Sequence, residues 1–119
     1  MESKKESKKQ LILLVLNELN ANTDENHPIT QTQIAKNLSG EKFVCDRKTV
    51  CRNVKYLKEM GYPIKKCSKG FYMDKKLFSV EDVDFIKTAI LDADGRSMEE
   101  KLELAKRLTD ILIKTYRWG

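Results

Sequence analysis

Residues 46–64 read DRKTVCRNVKYLKEMGYPI, and how they fold decides the rest of the chain. Asp46 suits a helix N-cap, because its carboxylate can accept from unpaired backbone N–H groups and sits at the positive end of the helix dipole. Gly61 suits the left-handed residue that follows a helix, and Pro63 discourages continuation. The α-helical period places Val50, Cys51, Val54 and Leu57 along one side. Arg52 points nearly opposite, flanked by Lys48, Lys55, Tyr56 and Glu59. The stretch predicts a helix over 46–60 with an apolar side to bury and a cationic side to display.

Charge gathers around this helix. The chain has 119 residues and a net charge of +5. Residues 42–76 carry 11 basic and 3 acidic side chains, a local excess of +8. Residues 1–41 carry 5 basic and 6 acidic, and residues 77–119 carry 7 and 9, so the flanks are slightly negative. A cationic block attracts a polyanion by steering it and by releasing the counterions condensed on phosphates. Charge alone is equally compatible with a solvated basic face.

Working upstream, Leu11, Leu14, Val15 and Leu19, with Ile12 and Leu16 beside them, recur at helical spacing. They predict an amphipathic helix that begins after a flexible, basic and polar tail over residues 1–9 and ends before Asn20. NANTDENHP (residues 20–28) is dense in turn formers. Thr30 is placed to cap a short helix, 31–38, with Ile34, Ala35 and Leu38 on one face. Ser39 and Gly40 close it, and residues 41–45 bridge to the basic helix. Downstream, residues 62–66 and 71–73 read as two short strands, with Cys67, Ser68, Lys69 and Gly70 as the turn.

After Leu77 and Phe78, Ser79 begins another helix, with Asp82 completing a variant capping box. Its apolar side holds Val80, Val83, Phe85, Ile86 and Ile90. DADG (residues 92–95) breaks the chain, and Ser97 with Glu100 forms a capping box for a last helix from Met98 to about residue 114. Met98, Leu102, Ala105 and Leu112 form one stripe of that helix, and Leu104, Leu108 and Ile111 a second. Either one stripe packs on the domain and the other on a partner, or both belong to a single broad buried face.

The fold expected is therefore mainly α with a small β-hairpin: a winged helix-turn-helix over residues 10–76, followed by a two-helix extension over 77–119. An α-helix fits the major groove of B-DNA, and its N-terminal residues can reach base edges. Arg52 is the candidate for bidentate contact with guanine. Thr49 suits a phosphate or a thymine methyl, and Arg47 and Lys48 suit the backbone. Tyr56 could bond a phosphate or pack under the wing. Asn53 could read adenine or serve a local turn. Gln31 and Gln33 could donate to phosphate, while Lys65, Lys66 and Lys69 would follow the flanking backbone or the minor groove. Leu104, Leu108 and Ile111 are the candidate dimerisation residues.

TVCRNVKYLKEMGYPI (residues 49–64) resembles the recognition-helix signature of DeoR-like transcriptional regulators, particularly those whose longer members carry a WYL domain. Thr49, Val50, Arg52, Val54, Leu57, Gly61, Tyr62, Pro63 and Ile64 match that pattern. GFYM (residues 70–73) resembles the family's wing, and FSVEDVDFIKTAI (residues 78–90) the helix after it. Cys51 stands where the family usually has an aromatic residue and Asn53 where it usually has an acid. The resemblance implies a DNA-binding portion only, since WYL-bearing members continue into a ligand-binding domain beyond the point where this chain ends near Trp118. The chain is then either a fragment or a small stand-alone regulator.

Several classes of function find no support. Cys45, Cys51 and Cys67 form no C-x-x-C pair and His27 is the lone histidine, so neither a zinc site nor a disulfide framework is expected. No glycine-rich phosphate loop occurs, and no cofactor is expected. His27 has no serine or cysteine motif to serve, and Asp82, Asp84, Glu99 and Glu100 read as helix-start charges, which argues against an enzyme. LILLVL (residues 11–16) is the longest apolar run and falls well short of the roughly 20 residues that span a bilayer. A cytoplasmic protein with reduced thiols is expected.

The leading expectation is a sequence-specific DNA-binding transcription regulator, acting as a homodimer on two half-sites about one helical turn apart, by occlusion or recruitment. The alternative is a small phage or mobile-element interaction protein that uses the same fold to bind and block a host nucleoprotein or ribonucleoprotein complex.

Overall fold

Four of the five helices begin at the residue whose side chain can satisfy their first N–H groups. In the computed structural model, which describes residues 4–40 and 45–117, Thr30 caps α2 (Gln31–Leu38) and Asp46 caps α3 (Arg47–Glu59). Ser79 caps α4 (Val80–Asp92) and Ser97 caps α5 (Met98–Leu112). Each cap side chain accepts from a backbone N–H three residues on. The reciprocal capping box is complete at Ser79 and Asp82. At α5 the carboxylate of Glu100 takes the Ser97 hydroxyl instead. The protein is mainly helical with one antiparallel hairpin, in the order α1-α2-α3-β1-β2-α4-α5.

The chain forms two compact units, residues 1–74 and 75–119. The boundary thus falls two residues earlier than the charge and motif pattern suggests. Lys75 adopts φ 56°, in the left-handed region. Lys75 and Lys76 then pair with the chain end: the Arg117 N–H donates to the Lys75 carbonyl at 2.6 Å, and Lys76 bridges Tyr116.

In the first unit, α1 (Lys4–Asn22) runs longer at both ends than its apolar spacing indicates. Lys and Glu are good helix formers, and no Pro or Gly interrupts residues 4–22. Helix α1 packs on α2, α3 and β2, and α3 packs on α2 and β1. Leu11, Val15 and Leu19 of α1 join Ile34, Val50, Val54, Leu57, Ile64, Phe71 and Met73 in the buried core. Thr23 is fully buried and ties the end of α1 to the sheet. Its hydroxyl donates to the Leu19 carbonyl at 2.6 Å and accepts from the Met73 N–H at 2.8 Å. Buried Asp24 accepts from the Asn26 N–H and lies 2.8 Å from His27 Nδ1, which organises the α1–α2 loop and places His27 in a structural contact.

The hairpin pairs β1 (Ile64–Cys67) with β2 (Gly70–Met73), Ile64 opposite Met73 and Lys66 opposite Phe71. A third segment joins it. Ile29 and Phe71 exchange two backbone hydrogen bonds of 2.8 Å each, just before α2 begins. Gly70 makes this approach possible. It sits at φ 130°, and a Cβ there would fall 2.2 Å from the Ile29 carbonyl oxygen. Ser39, just after α2, accepts from the Cys45 N–H at 3.0 Å and so draws the chain back towards the start of α3. Of the bridge expected over 41–45, residues 41–44 lie outside the described residues, as do Trp118 and the first three residues of the expected tail.

In the second unit, α4 and α5 form a helical hairpin. Lys101 of α5 donates to the carbonyls of Leu91 and Ala93 at 2.8 and 3.0 Å, capping the end of α4. Lys76 does the same for the Ile113 carbonyl after α5. Phe85, expected on the packed side of α4, is 75% exposed instead. It lies across the helix from Val83, Ile86 and Ile90, which are half-buried. No described helix is long and apolar enough to cross a membrane.

Candidate nucleic-acid interface

Helix α3 turns Val50, Asn53, Val54 and Leu57 inward. This i, i+3, i+4, i+7 set leaves Cys51 exposed, where the sequence reading had placed it on the buried side. It also buries Asn53 to 8% exposure. At about 100° per residue, position 53 lies closer to the middle of the buried arc than position 51 does. Asn53 therefore belongs to the packed face and not to the outward side that reading adenine would require.

The opposite ridge carries Lys48, Arg52, Lys55 and Glu59, at i, i+4, i+7 and i+11 and all exposed. Arg47 is exposed beside Lys48, and Thr49 is half-buried. None of Arg47, Lys48, Arg52 and Lys55 forms an ion pair among the described residues. Lys55 belongs to this ridge as fully as Arg52. The helical period already put it there, but no contact was assigned to it from sequence. Glu59 ends the cationic run on this ridge, while Lys58, also exposed, carries a basic side chain into the last turn beside it. Tyr56 and Met60 border it, 46% and 66% exposed.

The acidic cap is part of the same electrostatic unit. The Thr49 backbone N–H, at 2.8 Å, is the main influence holding the Asp46 carboxyl below the ordinary carboxylate range. The Thr49 side chain and then the charges of Lys48 and Arg52 act in the same direction. Next to it, burial pushes the Cys45 thiol up, and the Asp46 charge adds to that, so Cys45 stays protonated and unreactive near neutral pH.

The hairpin lysines differ from one another. Lys65 is 3.3 Å from Asp74, and the Lys66 ammonium lies 5.8 Å from the centroid of the Phe71 ring. Lys69 stands exposed in the turn between the strands and makes neither kind of contact among the described residues. On α2, Gln31 is half-buried and Gln33 is exposed. Gln33 donates one amide hydrogen to Asn37 Oδ1 at 2.7 Å, and Asn37 donates to Glu18 of α1 at 3.0 Å. This relay fixes the Gln33 amide and leaves it one further donor.

In the second unit, Leu104 and Ile111 are 40% and 61% exposed and Leu108 is half-buried, while Ala105 and Leu112 are buried. The two expected stripes are therefore distinct at these positions, although Met98 and Leu102, assigned to the packed stripe, are exposed. Among the described residues no group of three or more His, Cys, Asp or Glu side chains is gathered for a metal ion. Comparison with protein-family models, with curated proteins and with solved structures returns no match for the chain.

Proposed function

We propose that the first unit binds double-stranded DNA as a sequence-specific transcription regulator, with α3 in the major groove and the β1–β2 wing on the flanking backbone. One observation carries this reading: α3 displays Arg47, Lys48, Arg52 and Lys55 to solvent, and among the described residues no acidic side chain forms an ion pair with any of them. Two of these cations occupy the first helical turn, where the dipole disfavours positive charge by about 0.3–1 kcal/mol each. Asp46 at the cap offsets part of this cost, and a local rule broken beyond what one exposed carboxylate answers points to something outside the fold. Phosphates supply the missing partner charge, and the groove accommodates the helix.

In this arrangement Arg52 presents its guanidinium to a guanine edge, Thr49 meets a phosphate or a thymine methyl, and Arg47, Lys48 and Lys55 hold the backbone. Lys69 is the wing lysine with its charge uncommitted, whereas Lys65 and Lys66 are partly engaged by Asp74 and Phe71. Gln33, oriented through Asn37, donates to a phosphate ahead of the groove.

The test is selection of duplexes from a random pool, followed by fluorescence anisotropy on the enriched sequence. Wild-type protein enriches a consensus. Arg52→Ala weakens binding by about 1–3 kcal/mol and relaxes preference at one base position. An Arg52→Ala protein that binds the consensus as tightly as wild type, with the same preference over scrambled DNA of the same length, sinks the assignment.

A second reading rests on Tyr56 and Met60, whose exposure beside the cationic ridge resembles the aromatic and Met enrichment of protein interfaces. In it, the same surface docks on a nucleoprotein complex and blocks it. A salt-sensitive but sequence-indifferent DNA signal, with a protein captured only when Tyr56 and Met60 are intact, favours that reading.

A further inference from the structure

Among described residues of the second unit, only Ala105, Leu112 and Ile113 are buried apolar side chains, whereas Leu77, Phe85, Met98, Leu102, Leu104 and Ile111 are exposed. A helical hairpin that shows more large apolar side chains than it buries is built to be covered. The charges beside the Leu104–Ile111 stripe indicate by what. Glu100, Arg107 and Lys114 recur every seven residues along its edge, all exposed. Arg107 is engaged by Glu103 at 3.3 Å, and Lys114, in the turn just after α5, lies 3.9 Å from Asp110, so each keeps a partner within its own copy.

We infer that α5 pairs with α5 of a second copy of this chain, antiparallel, about a two-fold axis between Arg107 and Leu108. This relation sets Leu104 against Ile111 of the second copy, with Leu108 of both copies near the axis. It also sets Glu100 beside Lys114 of the second copy, and Lys114 beside its Glu100. A two-fold interface is self-complementary, so each favourable pair occurs twice. A parallel pair instead turns the Glu100 edge of each copy toward the Ala105–Leu112 edge of the other, where no charge answers Glu100. Arg107 meets its counterpart at the axis, where Glu103 offsets the repulsion. Residues 75–119 carry nine basic and nine acidic side chains, so no net charge drives two copies of this unit apart. The inference stands on the second unit and is independent of the nucleic-acid reading.

Sedimentation velocity of the full chain over a concentration series tests it. Wild type is expected to move from monomer to dimer mass as concentration rises. Leu104→Ser with Ile111→Ser, both at exposed positions, leaves the circular dichroism of the helices intact and the protein monomeric throughout. Glu100→Lys and Lys114→Glu each weaken the dimer roughly tenfold, since each replaces two attractions by two repulsions. An equimolar mixture of the two charge variants restores association. Glu100 also contacts the Ser97 cap, and the mixture controls for any local effect of its replacement. The inference is overturned by a wild-type chain that stays monomeric, by a dimer indifferent to the Leu104/Ile111 change, or by charge variants whose mixture associates no better than either alone. A different protein found seated on the stripe in place of the second copy overturns it as well.

Discussion

Helix α3 opens with Arg47 and Lys48, while α4 opens with Glu81 and Asp82 and α5 with Glu99 and Glu100. The two helices of the second unit follow the dipole rule and α3 reverses it. Burial reverses too. Among the described residues the first unit hides twelve apolar side chains and exposes three large ones, Leu13, Tyr56 and Met60, whereas the second hides three and exposes six. One unit thus completes its own core and leaves the α3 cations without an ion pair among the described residues; the other balances its charge and leaves apolar surface uncovered. Unpaired cations call for an anion, and uncovered leucines call for a protein surface. The two proposed interactions consequently lie on different units and can be broken separately.

The largest effects separate the cores. Leu57→Ala opens a cavity in a side chain that is 1% exposed and is expected to cost about 2–5 kcal/mol in chemical denaturation. Ile111→Ala, at monomeric concentration, should stay within about 0.5 kcal/mol of wild type. Similar losses for the two would erase the distinction between a finished and an unfinished core.

Two glycines sharpen the same contrast. Gly70→Ala combines a positive φ with a clash against the Ile29 backbone, and a loss of about 3 kcal/mol is expected. Gly95 also has positive φ, 98°, but open space around it, so Gly95→Ala bears strain alone, about 1 kcal/mol. Thermal melts of the two variants decide this, and equal losses would show that the Ile29–Phe71 pairing contributes nothing.

That pairing was not legible in the sequence. Ile29 is a single residue between Pro28 and a helix cap, and one bridge far along the chain from its partner leaves no alternation to detect. The helix starts were legible because a cap is a local device: the side chain and the N–H it serves are three residues apart. The outer ridge of α3 was legible for the same reason, through its period. The inner ridge was legible except at its margins: Cys51, expected on it, is exposed, and Asn53, open between a base-reading and a structural role, is buried on it. Phe85 failed likewise, since an apolar residue says nothing of which way its helix faces. The commitment of Lys65 to Asp74 depends on how β2 runs into residue 74, which no local pattern specifies.

Lysines extend the comparison from stability to binding. Lys55→Ala, on the α3 ridge, is expected to weaken DNA binding by a similar amount on all sequences and to lower the salt slope by about one. Lys106→Ala, on an exposed face of α5, removes the same charge and should change neither. Identical slopes for both variants would mean that only net charge matters and that α3 has no special place in binding.

Asp46 gives the smallest effect and the finest test. Its carboxyl titrates below the ordinary range in the folded chain because the Thr49 N–H, and then its neighbours, favour the charged form. The unfolded state therefore takes up the proton first as pH falls. The stability that Asp46 confers is complete above the usual carboxylate range, near pH 4, and drains away as pH drops through the lowered value. Asp46→Asn keeps an acceptor for the Thr49 N–H, since Asn caps about as well as Asp. Near neutral pH its melting temperature should stay close to that of wild type, and its decline in acid should be shallower. The substitution also deletes the one negative charge at the head of the cationic ridge, so DNA affinity should rise slightly at low salt and converge with wild type as salt screens it. An acid limb identical to that of wild type would show that the cap charge is not felt by the fold. Weaker binding by the neutral variant would show that the head of α3 faces away from the phosphates.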